Sequence, residues 1–308
     1  MKKFLVLACA AALVIGFGSC GKKSKYSIGF TVQDLSNPTW GGTAKELDRL
    51  VTEDGGEFTY MDTKNPNEQI KQVENLISKG VDAIIIHVTD PYSLENVLGE
   101  ARKAGIKVYS WDTDIENSDV NWLISNYELG CVIGEQAAQW INEKLDGNAE
   151  YAVLNYDTEA ILLERGNGIR DTMAKLAPNA KKVADQSAIN AREGQSATET
   201  ILQANPNLKV IACIGGGGAV GANNAVKAAG KLTPDFGVFA ADATDLEIEA
   251  IENDEAVRMS VMISGSPKAN ARIIFGLVKQ LLAGEKLDKK IMRELIPITK
   301  ENTDLTRQ

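Results

Sequence analysis

Residues 69–112 read QIKQVENLISKGVDAIIIHVTDPYSLENVLGEARKAGIKVYSWD, and this stretch decides the fold. It opens inside an amphipathic run, Asn67–Ser78, predicted as a helix, and Gly80 follows where a left-handed C-cap is wanted. Ala83–His87 comes next, a strand whose Ala83-Ile84-Ile85-Ile86 core is apolar without alternation. Such a run marks a strand covered by helices on both faces, as in a parallel sheet. A second helix is predicted over Ser93–Ala104, with Gly105 after it, and a strand over Lys107–Trp111 ends at Asp112.

The same alternation extends both ways. Upstream lie a strand at Ser27–Val32, a helix at Trp40–Glu53 and a strand at Glu57–Met61. Downstream the pattern repeats: strand Tyr151–Asn155, helix Glu164–Leu176, strand Lys182–Gln186, helix Glu193–Ala204, strand Lys209–Ile214, helix Val220–Ala229, then strand Gly237–Ala241 ending at Asp242. Gln69 to Asp112 spans 43 positions and Gln195 to Asp242 spans 47, so the halves agree in order and spacing. The expected fold class is α/β, with two similar doubly wound parallel-sheet lobes and a cleft between them. Ligands bind outside the carboxyl ends of such strands. The loops Gln33–Trp40, His87–Asp90, Trp111–Asp114, Tyr156–Arg165, Ile214–Gly218 and Asp242–Asp245 should therefore face one another.

Composition narrows the function. The chain has 308 residues, 44% hydrophobic and 24% charged, with 33 Lys+Arg against 42 Asp+Glu and a net charge of −9. An acidic surface opposes binding to phosphate backbones, so nucleic-acid proteins are excluded. No apolar run after residue 20 approaches the ~20 residues that cross a bilayer. At the N-terminus, Lys2 and Lys3 precede the apolar stretch Phe4–Phe17, and Phe17-Gly18-Ser19-Cys20 resembles a bacterial lipobox with Phe17 in place of the usual Leu. We expect residues 1–19 to be a lipoprotein signal peptide, Cys20 to carry the lipid, and residues 20–25 to form a tether. The bland alternative is ordinary signal cleavage with Cys20 left as a thiol. Losing residues 1–19 removes two lysines and leaves 289 residues at −11. The product would be exported, anchored in a membrane only through Cys20, in the periplasm or at the outer cell surface. Cys131 and Cys213 sit in apolar surroundings and read as buried free thiols.

Ser36-Asn37-Pro38-Thr39-Trp40, the Gln69–Ile86 stretch before His87-Val88-Thr89-Asp90, and Ser110-Trp111-Asp112 mark the first half; Leu163-Glu164-Arg165-Gly166 and Ala240-Ala241-Asp242 mark the second. In their order and spacing the chain, from Tyr26 to about Asn302, resembles a type I periplasmic solute-binding protein of the ribose- and galactose-binding group. The resemblance implies three crossings between lobes, near Ser125, Ser264 and Lys290. It implies an N-terminal lobe of residues 26–124 plus 265–290 and a C-terminal lobe of 125–264 plus 291–308, with Pro267–Gly284 a helix of the first and Arg293–Thr299 a strand of the second. It further implies a monomeric substrate-binding lipoprotein of an ABC importer. Such a protein closes on a small sugar or polyol and hands it to the permease, with no bond making, cofactor or catalytic residue.

The resemblance also assigns site residues. Asn37 would hydrogen-bond a ligand hydroxyl, Trp40 would stack on the ring, and Arg165 would reach the ligand. Asp112 and Asp242, at equivalent strand ends, would accept hydroxyl protons in charge-assisted bonds. Trp111, Asp114, His87, Ser125 and Asn190 complete the expected set. Each has a structural alternative: Asn37 and the two aspartates as caps, Arg165 as a helix-start ion pair, His87 as a satisfied structural histidine. One departure argues against assuming ribose, because Thr113 stands where ribose-type proteins carry an arginine. A lone histidine without a carboxylate cluster builds no metal site.

Gly215-Gly216-Gly217-Gly218 permits a second reading. Residues 216–221 fit G-x-G-x-x-G after a strand and before a helix, and Asp242 ends the next strand. An exported NAD-dependent oxidoreductase must therefore be weighed. Against it, the fingerprint lies on the third strand of the second repeat, and free nicotinamide cofactor is scarce outside the cell. The family normally has an Asn-Asp pair at Gly215-Gly216. Its replacement predicts open space lined by backbone N–H donors, suited to a ligand larger than a pentose or carrying an anionic group. A sugar-binding protein that informs a chemoreceptor or sensor kinase is the remaining alternative. A regulator of the lactose-repressor type is excluded by the signal segment where a DNA-binding headpiece would stand.

Overall fold

A computed structural model of the chain describes residues 24–307; the expected signal peptide and Cys20 lie outside the described residues. The first sheet contains β1 (Ser27–Val32), β2 (Glu57–Asp62), β3 (Ala83–Ile86), β4 (Lys107–Trp111), β5 (Val120–Leu123) and the distant β11 (Lys290–Met292). Their spatial order is 11-5-4-3-1-2, and every pair is parallel. The second contains β6 (Glu150–Asn155), β7 (Lys181–Ser187), β8 (Leu208–Cys213), β9 (Gly237–Ala241), β10 (Val257–Ile263) and β12 (Leu295–Ile298), in the matching order 12-10-9-8-6-7. Only β12 runs antiparallel there, against β10.

Helices cover both faces of each sheet. Around the first pack α1 (Pro38–Glu53), α2 (Pro66–Lys79), α3 (Pro91–Lys103) and α9 (Pro267–Leu282); around the second pack α4 (Asn126–Lys144), α5 (Ala160–Leu176), α6 (Ala191–Ala204), α7 (Gly216–Ala228) and α8 (Asp245–Glu252). β3 shows why its residues do not alternate. Ile85 enters the core shared with α1 and α9, while Ile84 and Ile86 enter the one shared with α2 and α3. The first-sheet helices share a start signal: Asn37, Asn65, Asp90 and Ser266 each accept a hydrogen bond from a first-turn N–H, and a proline follows each cap. Proline at the first helical position loses no hydrogen bond and arrives with its φ already set. These four helices therefore begin soon after a strand ends, with their N-termini on one edge of the sheet.

Five elements escape the sequence reading: β5, α4, α8, β10 and β11. α4 is hard to recognise because it is apolar on more than one side. Leu129, Ile133, Ala137 and Ile141 enter the core, while Gly130 and Gly134 meet α5. The third crossing also differs. β11 pairs Lys290–Met292 with Asn121–Leu123 of the first sheet, so the passage to the second sheet lies at Arg293–Glu294 rather than at 290/291. The expected strand Arg293–Thr299 is confined to Leu295–Ile298. Both cysteines are free, Cys213 buried and Cys131 only half-buried. Among the described residues no helix is long and apolar enough to cross a membrane.

The α4–α5 contact positions part of the site. A Cβ at Gly130 would collide with the Arg165 carbonyl, and one at Gly168 with the Tyr127 carbonyl and the Cys131 nitrogen. Backbone touches backbone here, and backbone cannot yield as a side-chain tip does. An exposed helical glycine changed to alanine gains about 1 kcal/mol of propensity, whereas overpacking a tight contact costs about 1–3 kcal/mol. Overpacking wins. Gly168→Ala is expected to lower the melting temperature by several degrees in a calorimetric scan, and an unchanged or raised value contradicts the contact.

Candidate functional site

Two strand ends build the site symmetrically. β4 ends at Asp112 and β9 at Asp242, and both aspartates leave the sheet with positive φ, 60° and 95°. That region is costly for most residues but tolerated by Asp and Asn. In each half the aspartate N–H still bonds to the neighbouring strand, Asp112 to the Trp122 carbonyl (2.8 Å) and Asp242 to the Val261 carbonyl (2.9 Å). The two carboxylates open onto one cleft of about 720 Å³, lined also by Trp40, Trp111 and, from the crossings, Ile124, Ile263 and Arg293.

Asp112 is committed to a partner that sequence reading missed. Arg293 Nη1 donates to both Asp112 oxygens (2.7 and 2.8 Å), Nε to Ser264 Oγ (3.2 Å) and Nη2 to the Ile263 carbonyl (3.1 Å). The guanidinium also lies 4.4 Å from the Trp122 ring centroid and 5.7 Å from that of Trp111. Its side chain is 4% exposed, so its charge needs the carboxylate and these acceptors. No local pattern announces the pair, because its members stand 181 positions apart.

The second half uses a different arrangement. Arg165 Nη1 donates to the Ile214 carbonyl (2.7 Å), and Nε and Nη2 donate to Asn126 Oδ1 (3.1 and 2.7 Å). Burial lowers the hold of this guanidinium on its proton, and nearby Asp242 acts in the opposite sense. Asp242 Oδ2 accepts the Gly216 N–H (3.0 Å) at the start of α7. Below it, buried Glu247 accepts from Thr244 N–H (2.9 Å), Thr244 Oγ1 (2.8 Å) and Ser260 Oγ (2.8 Å). Burial, then the Asp242 charge, push its carboxyl up to about 7.

This geometry corrects the reading of Gly215 and Gly216. The space beside them is filled: a Cβ at Gly216 would strike Glu247, and one at Gly215 would come within 2.9 Å of Asp242 Oδ2. The N-terminus of α7 is already capped by the Asp242 carboxylate, and the Glu247 carboxyl fills the space behind it, so the Gly216 N–H is not left for an anionic group. The glycines that mimic a dinucleotide fingerprint serve close packing instead. Gly217 abuts the Ile189 carbonyl, Gly218 faces Gly194, and Gly221 touches the Ala191 carbonyl, which draws α7 against α6.

The other expected residues divide by position. Asn37 lines the cleft, but its Oδ1 caps α1 through Thr39 and Trp40 N–H. Trp40 lies over His87, ring centroids 4.5 Å apart. His87 Nε2 is 3.9 Å from Asp112 Oδ2, and burial lowers its proton affinity despite that carboxylate, so the ring is neutral near pH 7. Ser125 and Asn190 cap α4 and α6 and are not among the cleft-lining residues. Asp114 turns away from the cleft, accepting from Asn121 Nδ2 (2.8 Å) and pairing with Lys290. Among the described residues no group of three or more His, Cys, Asp or Glu side chains forms a metal site.

A model of the periplasmic binding protein domain matches residues 28–286. The ribose import binding protein of Bacillus subtilis is 26% identical over 278 residues, covering 89% of this chain and 88% of its own. Among solved structures, an ABC transporter periplasmic solute-binding protein from Actinobacillus succinogenes with bound D-allose superposes with a TM-score of 0.74 at 22% identity, over 91% of this chain and 99% of that one. One from Bacillus halodurans with bound myo-inositol gives 0.71 at 22%, over 92% and 98%.

Glu247 generates a prediction about pH. Its carboxyl is raised from an ordinary 4.5 to about 7, so the folded chain holds a proton that the unfolded chain has released between those values. The stability it contributes is complete below about 4.5 and is lost as pH rises through about 7, amounting to about 3 kcal/mol. Between pH 5 and 8 the melting temperature of the wild type should fall relative to that of Glu247→Gln. Parallel pH profiles for the two proteins would contradict the assignment.

Proposed function

The chain belongs to the periplasmic binding protein domain family, and from that premise we propose that it captures a neutral sugar or sugar-like polyol in the cleft between its sheets. The observation that carries this reading is the charge balance of the site. Asp112 is offset by Arg293, Asp242 lies opposite Arg165, and Trp40 offers an aromatic face beside them. A sugar presents hydroxyls to carboxylates and an apolar C–H face to an indole, and it brings no charge to upset either pair. A sugar acid would face Asp112, Asp242 and Asp245 with both buried arginines already engaged.

On this reading the two sheets close about the crossings at 124–125, 264–266 and 293–294, and the closed form is presented to an ABC permease. Residues 1–19 direct export and Cys20 holds the protein to the membrane. The curated relative supports a sugar as cargo, since it is a ribose import binding protein. The oxidoreductase reading has lost its support, because Asp242 caps the helix end that would have to hold a pyrophosphate.

The test is a thermal-shift screen of the chain from residue 21 onward. Its panel contains pentoses, hexoses, myo-inositol, disaccharides, nucleosides, sugar acids, NAD and NADP. A ligand at about 1,000 times its Kd adds about 4 kcal/mol, a rise of several degrees. One class of neutral sugar or polyol should shift the transition, and NAD and the sugar acids should not. A shift with NAD or a sugar acid alone overturns the proposal. For the ligand so found, Trp40→Ala is expected to weaken binding at least tenfold by isothermal titration, and an unaltered Kd removes the stacking role.

A further inference from the structure

One residue, through its backbone and its side chain together, touches all three passages between the sheets. Arg293 forms the third, its backbone N–H donates to the Leu123 carbonyl at the first (2.7 Å), and its guanidinium donates to Ile263 and Ser264 at the second. The Ser264 N–H in turn donates to the Glu294 carbonyl (2.8 Å). The second passage is also where the backbone is unusual: Ser264 and Gly265 have φ of 61° and 101°. A serine in the left-handed region is strained and persists only when its surroundings hold it there. Arg293 Nε, on Ser264 Oγ, is part of that hold.

The same guanidinium carries Asp112 on Nη1, under Trp111 and Trp122. Arg293 is buried while Asp112 meets the cleft, and the planar fork cannot bend between Nη1 and Nε. His87 and buried Tyr109 are further titratable groups beside Asp112. Asp112 lines the cleft while Ser264 stands in the hinge, so a hydroxyl that donates to Asp112 draws on the oxygens that hold Nη1.

We infer that Arg293 is a positioning residue that couples occupancy of the Asp112 carboxylate to the backbone state of Ser264–Gly265, making the hinge responsive to what the cleft holds. This rests on the hinge-closure reading but not on the identity of the cargo. A lysine could keep a charge beside Asp112 yet could not bond Asp112, Ser264 and Ile263 together.

The experiment needs no ligand. Spin labels are placed on opposite sides of the cleft at Tyr92 and Ile161, 91% and 60% exposed, in a full chain carrying Cys9→Ser, Cys20→Ser and Cys131→Ser. Buried Cys213 is left in place, because burial raises its thiol well above the usual range. Inter-label distances are measured by pulsed dipolar spectroscopy, with thermal melts as a check on folding. The parent should give one narrow distribution, and Asp112→Asn, Ser264→Ala and Arg293→Lys should each at least double its width. A purely structural role would lower the melting temperature and leave the width unchanged. An unchanged width in folded Asp112→Asn or in Ser264→Ala overturns the coupling, even if Arg293→Lys broadens. Should Arg293→Lys fail to fold, the other two decide. A negative sugar screen leaves this result untouched, so the two proposals fail separately.

Discussion

A parallel strand cannot turn straight back into its neighbour, and this constraint shapes the molecule. The chain must cross the sheet, and a helix is the usual way to do so with every backbone group satisfied. Each crossing puts a helix on one face, both faces become buried, and the strands turn apolar throughout, as Ile84, Ile85 and Ile86 do. All carboxyl ends then lie on one edge, together with the N-termini of the helices that follow. Two such sheets turned edge to edge leave a cleft whose walls are loops, caps and helix starts. The polar residues Asn37, Asp112 and Asp242 stand there because strands end there.

Charge in such a place must be balanced within the protein. Asp112 and Asp242 are at equivalent ends, yet they are stabilised differently. Asp112 takes a buried arginine from the third crossing, and Asp242 takes the backbone N–H of Gly216 with Arg165 across from it. A buried pair of this kind is weak evidence for stability, because the desolvation of both ions offsets much of their attraction. Its contribution is to fix where each carboxylate points. Glu247 has no cation partner and responds by holding its proton, with its oxygens bonded to Thr244 and Ser260.

How much of this was legible in the sequence depended on the range of the signal. Strand–helix alternation, the duplication, and the strand-end aspartates are local patterns, and all appear in the structure. α4 was lost because Gly130 and Gly134 make a second buried face that hides its periodicity. Arg293 was read only as the start of a strand, since nothing near it in the chain indicates that Asp112 is its partner. Asp114 resembled its neighbour Asp112, but two residues along a turn reverse a side chain, and it pairs with Lys290 on the edge strand instead. Sequence reading left Asp114 between joining Asp112 and facing solvent; the fold separates the two.

The glycine run shows why a motif needs its surroundings. In a dinucleotide site, glycines let the backbone approach a pyrophosphate and let a helix pack closely on its neighbour. Only the second use survives here, at Gly217, Gly218 and Gly221 against the start of α6. What separates the two cases is the occupant of the helix N-terminus. A phosphate site leaves those N–H groups for the ligand, whereas here Asp242 has taken the Gly216 N–H, with Glu247 close behind. The same carboxylate faces the cleft, where its remaining acceptor positions are open to a ligand hydroxyl. Spacing alone could not distinguish a helix end that awaits an anion from one that already holds its own.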